Sequence, residues 1–237
     1  MQKNYELAKK RWLSEVKRDH TLRLFKHGAL EHCKLLFEKG IFRMGSVFDF
    51  QNEVKHGPEI GDQGEGIVRY TPEEHRIGDT STPQHAEVDN VLAAAGGHGR
   101  KNLVFQGITF EIKTPGYIFC VSASQSRKPP PTYNSCVEIA DPYLFWYAMR
   151  KATIIGYPKS LIVTRKKFRP CVYESRDRDM QKNYQPRHLI KPDRPDQRAW
   201  EEWRIYLDAE LPDDPPWIDI ECPGVIPALS RIILFDE

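Results

Sequence analysis

Along the first twenty residues, apolar side chains recur at Leu7, Trp12, Leu13 and Val16 among Lys, Arg and Glu, which is the spacing of a helix with one buried stripe. Residues 21–25 (TLRLF) then alternate as a half-buried strand does. Residues 29–38 (ALEHCKLLFE) return to helical spacing until Lys39-Gly40, where glycine suits a left-handed cap. Residues 41–50 (IFRMGSVFDF) predict a second, aromatic-rich strand, after which Gly, Pro and acidic residues make 51–66 a long loop. Residues 84–95 read as a short helix stopped by Gly96-Gly97, followed by short strands over 103–106, 108–113 and 117–122 and a breaker-rich loop over 124–132. Asp141-Pro142 offers an N-cap acceptor and a proline for the first turn of a helix running to Lys151. Short strands over 161–164, 172–173, 203–207, 217–220 and 232–235 complete the pattern. The expected fold is α+β, with an N-terminal helix over 1–20 and one domain over 21–237.

Composition narrows the class. Of the 237 residues 40% are hydrophobic and 29% charged, enough apolar surface for a core and too evenly mixed for a disordered or membrane-spanning chain. The first twenty residues are charged throughout and lack the apolar stretch of an export signal. Cys33, Cys120, Cys136, Cys171 and Cys222 are odd in number and never form a C-x-x-C pair, which fits a reducing cytoplasm and argues against structural zinc.

The formal charge is only +2, so no field of the whole molecule attracts nucleic acid. It is unevenly spread, however. Between residues 159 and 204 bases exceed acids by about six, and beyond 205 the balance reverses to about −7. The basic stretch, interleaved with Tyr173, Tyr184 and Trp200, is the one candidate surface for DNA or RNA, and a solvated mixed-charge loop is its plainer reading.

Two motifs suggest metal chemistry. His85-Ala86-Glu87 is half of a zinc deaminase signature, but no P-C-x-x-C follows to complete a tetrahedral site. Glu111-Ile112-Lys113 on an expected strand, with Asp89 upstream, has the order in which metal-dependent nucleases of the PD-(D/E)xK kind place two carboxylates and a lysine. Charges alternating on the outer face of a strand produce the same tripeptide.

A third signature is distributed over the chain. Arg23-Leu24-Phe25-Lys26, then Lys39-Gly40, then Arg43 to Phe50 (RMGSVFDF), then Gly61 to Gly66 (GDQGEG), then Phe119 to Ser122 (FCVS) and finally Trp200 to Arg204 (WEEWR) follow in order. This succession resembles an uncharacterised bacterial and phage family catalogued as a domain of unknown function, whose layout is similar to the ADP-ribosyltransferase fold and its DNA-modifying branch. The resemblance implies a split, mostly antiparallel sheet with flanking helices, and a cleft for NAD as substrate where the strands bearing Thr21, Ser46 and Glu202 meet. It implies Glu202 as the catalytic carboxylate, Arg23 or Lys26 at the diphosphate, Ser46 at the nicotinamide-side ribose and Phe50 against the nicotinamide ring. Ser122-Ala123-Ser124 stands as a partial substitute for the serine triplet of toxin-like members. A toxin role in phage defence would suit the same likeness.

The residues can bear that chemistry. Breaking the nicotinamide–ribose bond passes through an oxocarbenium-like state, which a carboxylate beside the sugar stabilises while accepting a hydrogen bond from the 2′-OH. Two residues ahead of Glu202 stands Trp200 and not a Glu or Gln, so the E-x-E or Q-x-E pattern of arginine-modifying transferases is missing there and protein arginine is a poor acceptor. Two alternatives stay open: the nuclease of Asp89, Glu111 and Lys113, and a non-catalytic module that holds a nucleotide or protein partner in the same cleft. Glu202 paired with Arg204 as a strand-edge ion pair is the corresponding structural explanation.

Overall fold

In the computed structural model of the chain, the described residues are 2–52, 54, 65, 67–70, 75–78, 86, 88–90, 104–105, 109–113, 116–125, 133–157, 167–173, 177–178, 189–191, 198, 201–207, 211 and 215–235. Helix α1 (Gln2–Glu15) is held mainly by its last turns, where Trp12, Leu13 and Val16 are buried. Trp12 meets the rings of Tyr143, Trp146, Phe168 and Trp203 at centroid distances of 5.7, 6.4, 5.8 and 5.9 Å. Leu7 of the expected stripe is 71% exposed, because the aromatic cluster that buries the helix gathers around Trp12 rather than along its whole length.

β1 (Leu24–Gly28) begins three residues later than the alternation suggested. α2 (Leu30–Lys34) runs on as a wider π-type turn (Leu35–Lys39) to Gly40, whose φ of 65° is left-handed. A Cβ on Gly40 would fall 2.5 Å from the Cys222 carbonyl oxygen, so both conformation and space require glycine. β2 (Ile41–Ser46) stops four residues short of the expected strand, the chain turning through Val47 into a 3₁₀ segment (Asp49–Gln51).

The peripheral strands β3 (Ile67–Tyr70), β4 (His75–Arg76), β5 (Val104–Phe105) and β6 (Phe110–Lys113) follow. β7 (Tyr117–Ser122) matches its expected span, whereas β8 (Ser135–Ile139), after the breaker-rich loop, has no counterpart among the expected strands. α3 (Pro142–Ala148) starts as anticipated, with the Asp141 carboxylate accepting from the Leu144 N–H at 3.0 Å and proline in the first turn. The later strands are β9 (Thr153–Ile154), β10 (Lys167–Pro170), β11 (Val172–Tyr173), β12 (Asp177–Arg178) and β13 (Ile190–Lys191). β14 (Glu202–Leu207), β15 (Trp217–Glu221) and β16 (Leu229–Leu234) end the chain. The expected strand over 161–164 and most of the 51–66 loop lie outside the described residues.

Helices accompany a mostly antiparallel open sheet, so the class is α+β. Nine strands join in one sheet whose pairings are all antiparallel, in the order β16-β8-β1-β7-β2-β15-β9, with β14 and β10 continuing from β7. Smaller sheets pair β12-β3-β6, β11-β13 and β4-β5. One face of the large sheet is the core: Leu24, Met44, Phe119, Val121, Val137, Ile139, Trp203, Ile205, Ile218 and Ile220 pack with Trp12, Leu36, Tyr143, Phe145 and Met149. Alternation sends the intervening side chains to the opposite face. Among the described residues no helix is long and apolar enough to cross a membrane.

Candidate functional site

β7 uses its two edges differently. Along one edge β14 pairs over the full length, from Glu202↔Ser122 to Leu207↔Tyr117. The other edge is divided: β1 takes one end through Phe25↔Ser122, and β2 takes the other through Gly45↔Ile118 and Ser46↔Tyr117. Between those ends, no described strand pairs with Phe119, Cys120 or Val121 on that edge. The Lys26 ammonium reaches in and donates to the Cys120 carbonyl at 3.1 Å, satisfying an acceptor that a strand would otherwise have taken. The parting opens onto a cavity of about 500 Å³, a size that suits a small organic ligand.

Strand register decides what faces this cavity. Directly paired residues share a face, so Ser122 and Cys120 stand with Glu202 and Arg204, while Val121 and Phe119 go to the core with Trp203 and Ile205. The β1–β7–β14 row therefore brings Phe25, Ser122 and Glu202 side by side across three strands. At the far end, Gly45 lets the ring of Phe50 lie against β2: a Cβ there would stand 2.5 Å from the ring. On the rim, Arg43 grips Asp219 with two hydrogen bonds of 2.9 and 3.2 Å and lies 4.8 Å from the centre of the Trp217 ring.

Glu202 belongs to a buried charge network. The guanidinium of Arg204, 1% exposed, donates from Nη1 and Nη2 to the two oxygens of Glu65 at 2.5 and 2.7 Å. Its Nε donates to Oε1 of Glu202 at 2.5 Å. The Lys191 ammonium lies 3.6 Å from Glu65 and 3.7 Å from Oε2 of Glu202. The Glu202 backbone N–H donates to the Tyr173 hydroxyl at 2.9 Å, and the Cys171 thiol lies 3.9 Å from Oε1.

Burial by itself would push the Glu202 carboxyl up, but Arg204 and Lys191 outweigh it and hold the pKa down to about 2. Glu202 is thus an anion at any physiological pH. Burial likewise opposes the charge on Lys191, and Glu202 overcomes it, leaving the lysine above its usual value. Lys26 goes the other way: burial lowers its pKa despite Cys120, Cys33 and Glu202, and among the described residues it has no carboxylate within ion-pair distance. Burial and Glu202 push the Cys120 thiol up to about 12, which excludes it as a ready nucleophile. The network thus holds two anions, Glu65 and Glu202, and two cations, Arg204 and Lys191, with Lys26 as a further basic group on the cavity.

Of the residues singled out from the sequence, Glu202, Lys26, Phe50 and Ser122 line this cavity. Ser46 sits at the end of β2 with its hydroxyl accepting the Phe48 N–H at 3.2 Å, which is a turn role, and it does not line the cavity. Arg23 lies 3.8 Å from the Glu138 carboxylate and is not among the residues that line the cavity, whereas Lys26 is. Arg23 is one residue short of β1, and the strand that starts after it carries Lys26 inward instead.

The nuclease residues are placed elsewhere. Asp89 accepts from the Gly78 N–H at 2.7 Å, and Glu111 and Lys113 fall on β6, in the small β12-β3-β6 sheet, with side chains outside the described residues. His85 and Glu87 also lie outside them, and among the described residues no three His, Cys, Asp or Glu side chains are placed to hold a metal ion. In the basic stretch, Lys191 and Arg204 are buried and neutralised, and Arg169 bonds to Glu15 at 2.8 Å, so these three add nothing to an exposed cationic surface. Tyr184 and Trp200 lie outside the described residues.

Sequence reasoning missed Glu65 and Lys191 as members of the site. Glu65 had a signal, an acid within the glycine-rich GDQGEG run, whereas nothing around Lys191 distinguishes it from its polar neighbours. No protein-family model, curated protein or solved structure matches this chain.

Proposed function

We propose that the cleft binds NAD and that Glu202 assists cleavage of its nicotinamide–ribose bond, with transfer of ADP-ribose to an acceptor. The observation that carries this reading is the pairing of an ionised, clamped carboxylate with a parted sheet edge, both on one cavity that also holds a cation and an aromatic ring. In this reading Lys26 meets the diphosphate, Phe50 packs against the nicotinamide and Ser122 offers a hydroxyl beside the sugar.

The step balances without a redox partner. The C1′–N bond breaks with its electron pair going to nicotinamide, and an acceptor oxygen or nitrogen attacks C1′ and gives up its proton. Oε1 of Glu202 is held by Arg204, and Oε2 lies 3.7 Å from Lys191, beyond hydrogen-bond distance. An oxygen so disposed accepts from the ribose 2′-OH, and its fixed charge stabilises the positive charge that develops on the sugar. Water as acceptor gives hydrolysis; a nucleic acid gives modification.

Mass spectrometry of NAD incubated with the protein, with DNA, RNA and protein acceptors supplied, tests the reading. Nicotinamide release is expected, and Glu202→Gln lowers it by about 10²- to 10³-fold without unfolding the chain. NAD also raises the melting temperature, and Lys26→Met removes that shift. Intact NAD in every mixture, together with no thermal shift, would overturn the proposal; stabilisation by Mg²⁺ or Mn²⁺ instead would favour the nuclease.

A further inference from the structure

The route of the Lys26 side chain sets it apart from the other basic groups of the cleft. In the β1–β8 register Lys26 stands opposite Val137, a core residue, so its stem starts on the core side of the sheet. Its Nζ lies 4.7 Å from the centre of the Phe119 ring and donates to the Cys120 carbonyl where β1 and β2 part along β7. Arg204 and Lys191 each meet carboxylates. Among the described residues, Lys26 meets an aromatic face and a neutral oxygen in their place. The side chain is only partly buried, and the cavity that it lines is walled by the apolar Phe25, Leu36, Phe42, Ile118 and Val121.

We propose that Lys26 is an imine-forming residue, whose Nζ captures the carbonyl carbon of a small apolar aldehyde held in the cavity. The class of ligand follows from the walls: aromatic and aliphatic side chains select an apolar body, and about 500 Å³ accommodates one of small-molecule size. Taking an ammonium out of water without supplying a counter-ion favours the neutral amine, which is the nucleophile. Burial accordingly lowers the pKa of Lys26, against the smaller opposing effects of Cys120, Cys33 and Glu202. The amine lone pair forms the C–N bond, and both hydrogens of the amine leave with the carbonyl oxygen as water, so no redox partner is required. This goes beyond the NAD reading, in which Lys26 acts as a charge. An ammonium holds a diphosphate and an amine adds to a carbonyl, so any one complex uses one state or the other.

The test treats the full chain at pH 7 with benzaldehyde, an uncharged probe, and sodium cyanoborohydride, which reduces the imine to a stable secondary amine; peptide mass spectrometry then reads each lysine. An ordinary lysine in water presents its amine in about one molecule in 10³ at this pH. Lys26 is therefore expected to be modified at least about 10-fold faster than the exposed Lys10 and Lys34, with the contrast shrinking toward pH 10 as ordinary lysines gain amine. Lys26→Arg keeps a cation in the gap but has no primary amine, so the fast site disappears while a thermal shift by NAD persists. Labelling of Lys26 no faster than of Lys10 and Lys34 in the folded wild type would overturn the proposal, as would a preference for Lys26 that survives unfolding in urea. A wild type that leaves NAD intact and shows no thermal shift would sink the NAD reading alone, the labelling ratio still deciding the role of Lys26.

Discussion

Acid titration of Glu202 offers the most quantitative check on the buried network. The group titrates near 4.5 when unperturbed and is held down to about 2 in the folded chain. A displacement of that size corresponds to about 3 kcal/mol of stability. The sign follows from the direction. A carboxyl depressed on folding contributes its full share above about pH 4.5, and the share is lost as pH falls toward 2, because the unfolded chain takes up the proton first. Roughly 2 kcal/mol of it is gone by pH 3.

The perturbation is Glu202→Gln, which removes the titration and leaves Arg204 and Lys191 with one anion fewer. Near neutrality the variant is therefore less stable, in line with the cost of breaking a buried pair from one side. The assay is urea unfolding of wild type and variant at half-unit steps between pH 6 and pH 3. The gap between their midpoints should be widest at pH 6 and close by about 1 M urea toward pH 3. A gap that stays constant over this range would refute the argument, since it would mean that Glu202 does not change its proton affinity on folding.

Two further substitutions address the frame around the cavity. In Gly45→Ala the new Cβ meets the Phe50 ring at 2.5 Å, so the ring must leave its seat on β2; a loss of about 1–3 kcal/mol in urea unfolding is expected, and an unchanged midpoint would show that the ring does not lie there. Asp141 caps α3 and also receives Lys9 at 2.5 Å and the Tyr5 hydroxyl at 3.1 Å, tying α1 to α3. Asp141→Ala is expected to cost about 1–2 kcal/mol, and combining it with Lys9→Met should cost less than the two changes added, because they share one contact; strict additivity would place Lys9 elsewhere.

Local patterns along the chain were sufficient for much of the architecture. Helical spacing around Trp12, the Gly40 stop, the Asp141-Pro142 start and the alternation in residues 117–122 each depend on neighbours within a few residues, and each has its counterpart in α1, the turn after α2, α3 and β7. Where a strand would end was less legible. β2 closes at Ser46 because the chain must turn to bring Phe50 back over Gly45, a requirement set by tertiary packing.

The sequence by itself determined that Glu202 and Lys26 were residues to examine, and that an α+β fold would hold them. Only the tertiary structure decided that Lys26, and not Arg23, lines the cleft: Lys26 is paired with the core residue Val137, and its ammonium reaches the Cys120 carbonyl only because β1 and β2 part along β7. It also decided that Glu202 is an anion. Its charge is held by Arg204, two residues away along β14, and by Lys191 from a separate segment, and an electrostatic field summed over such partners exists only once the chain has folded.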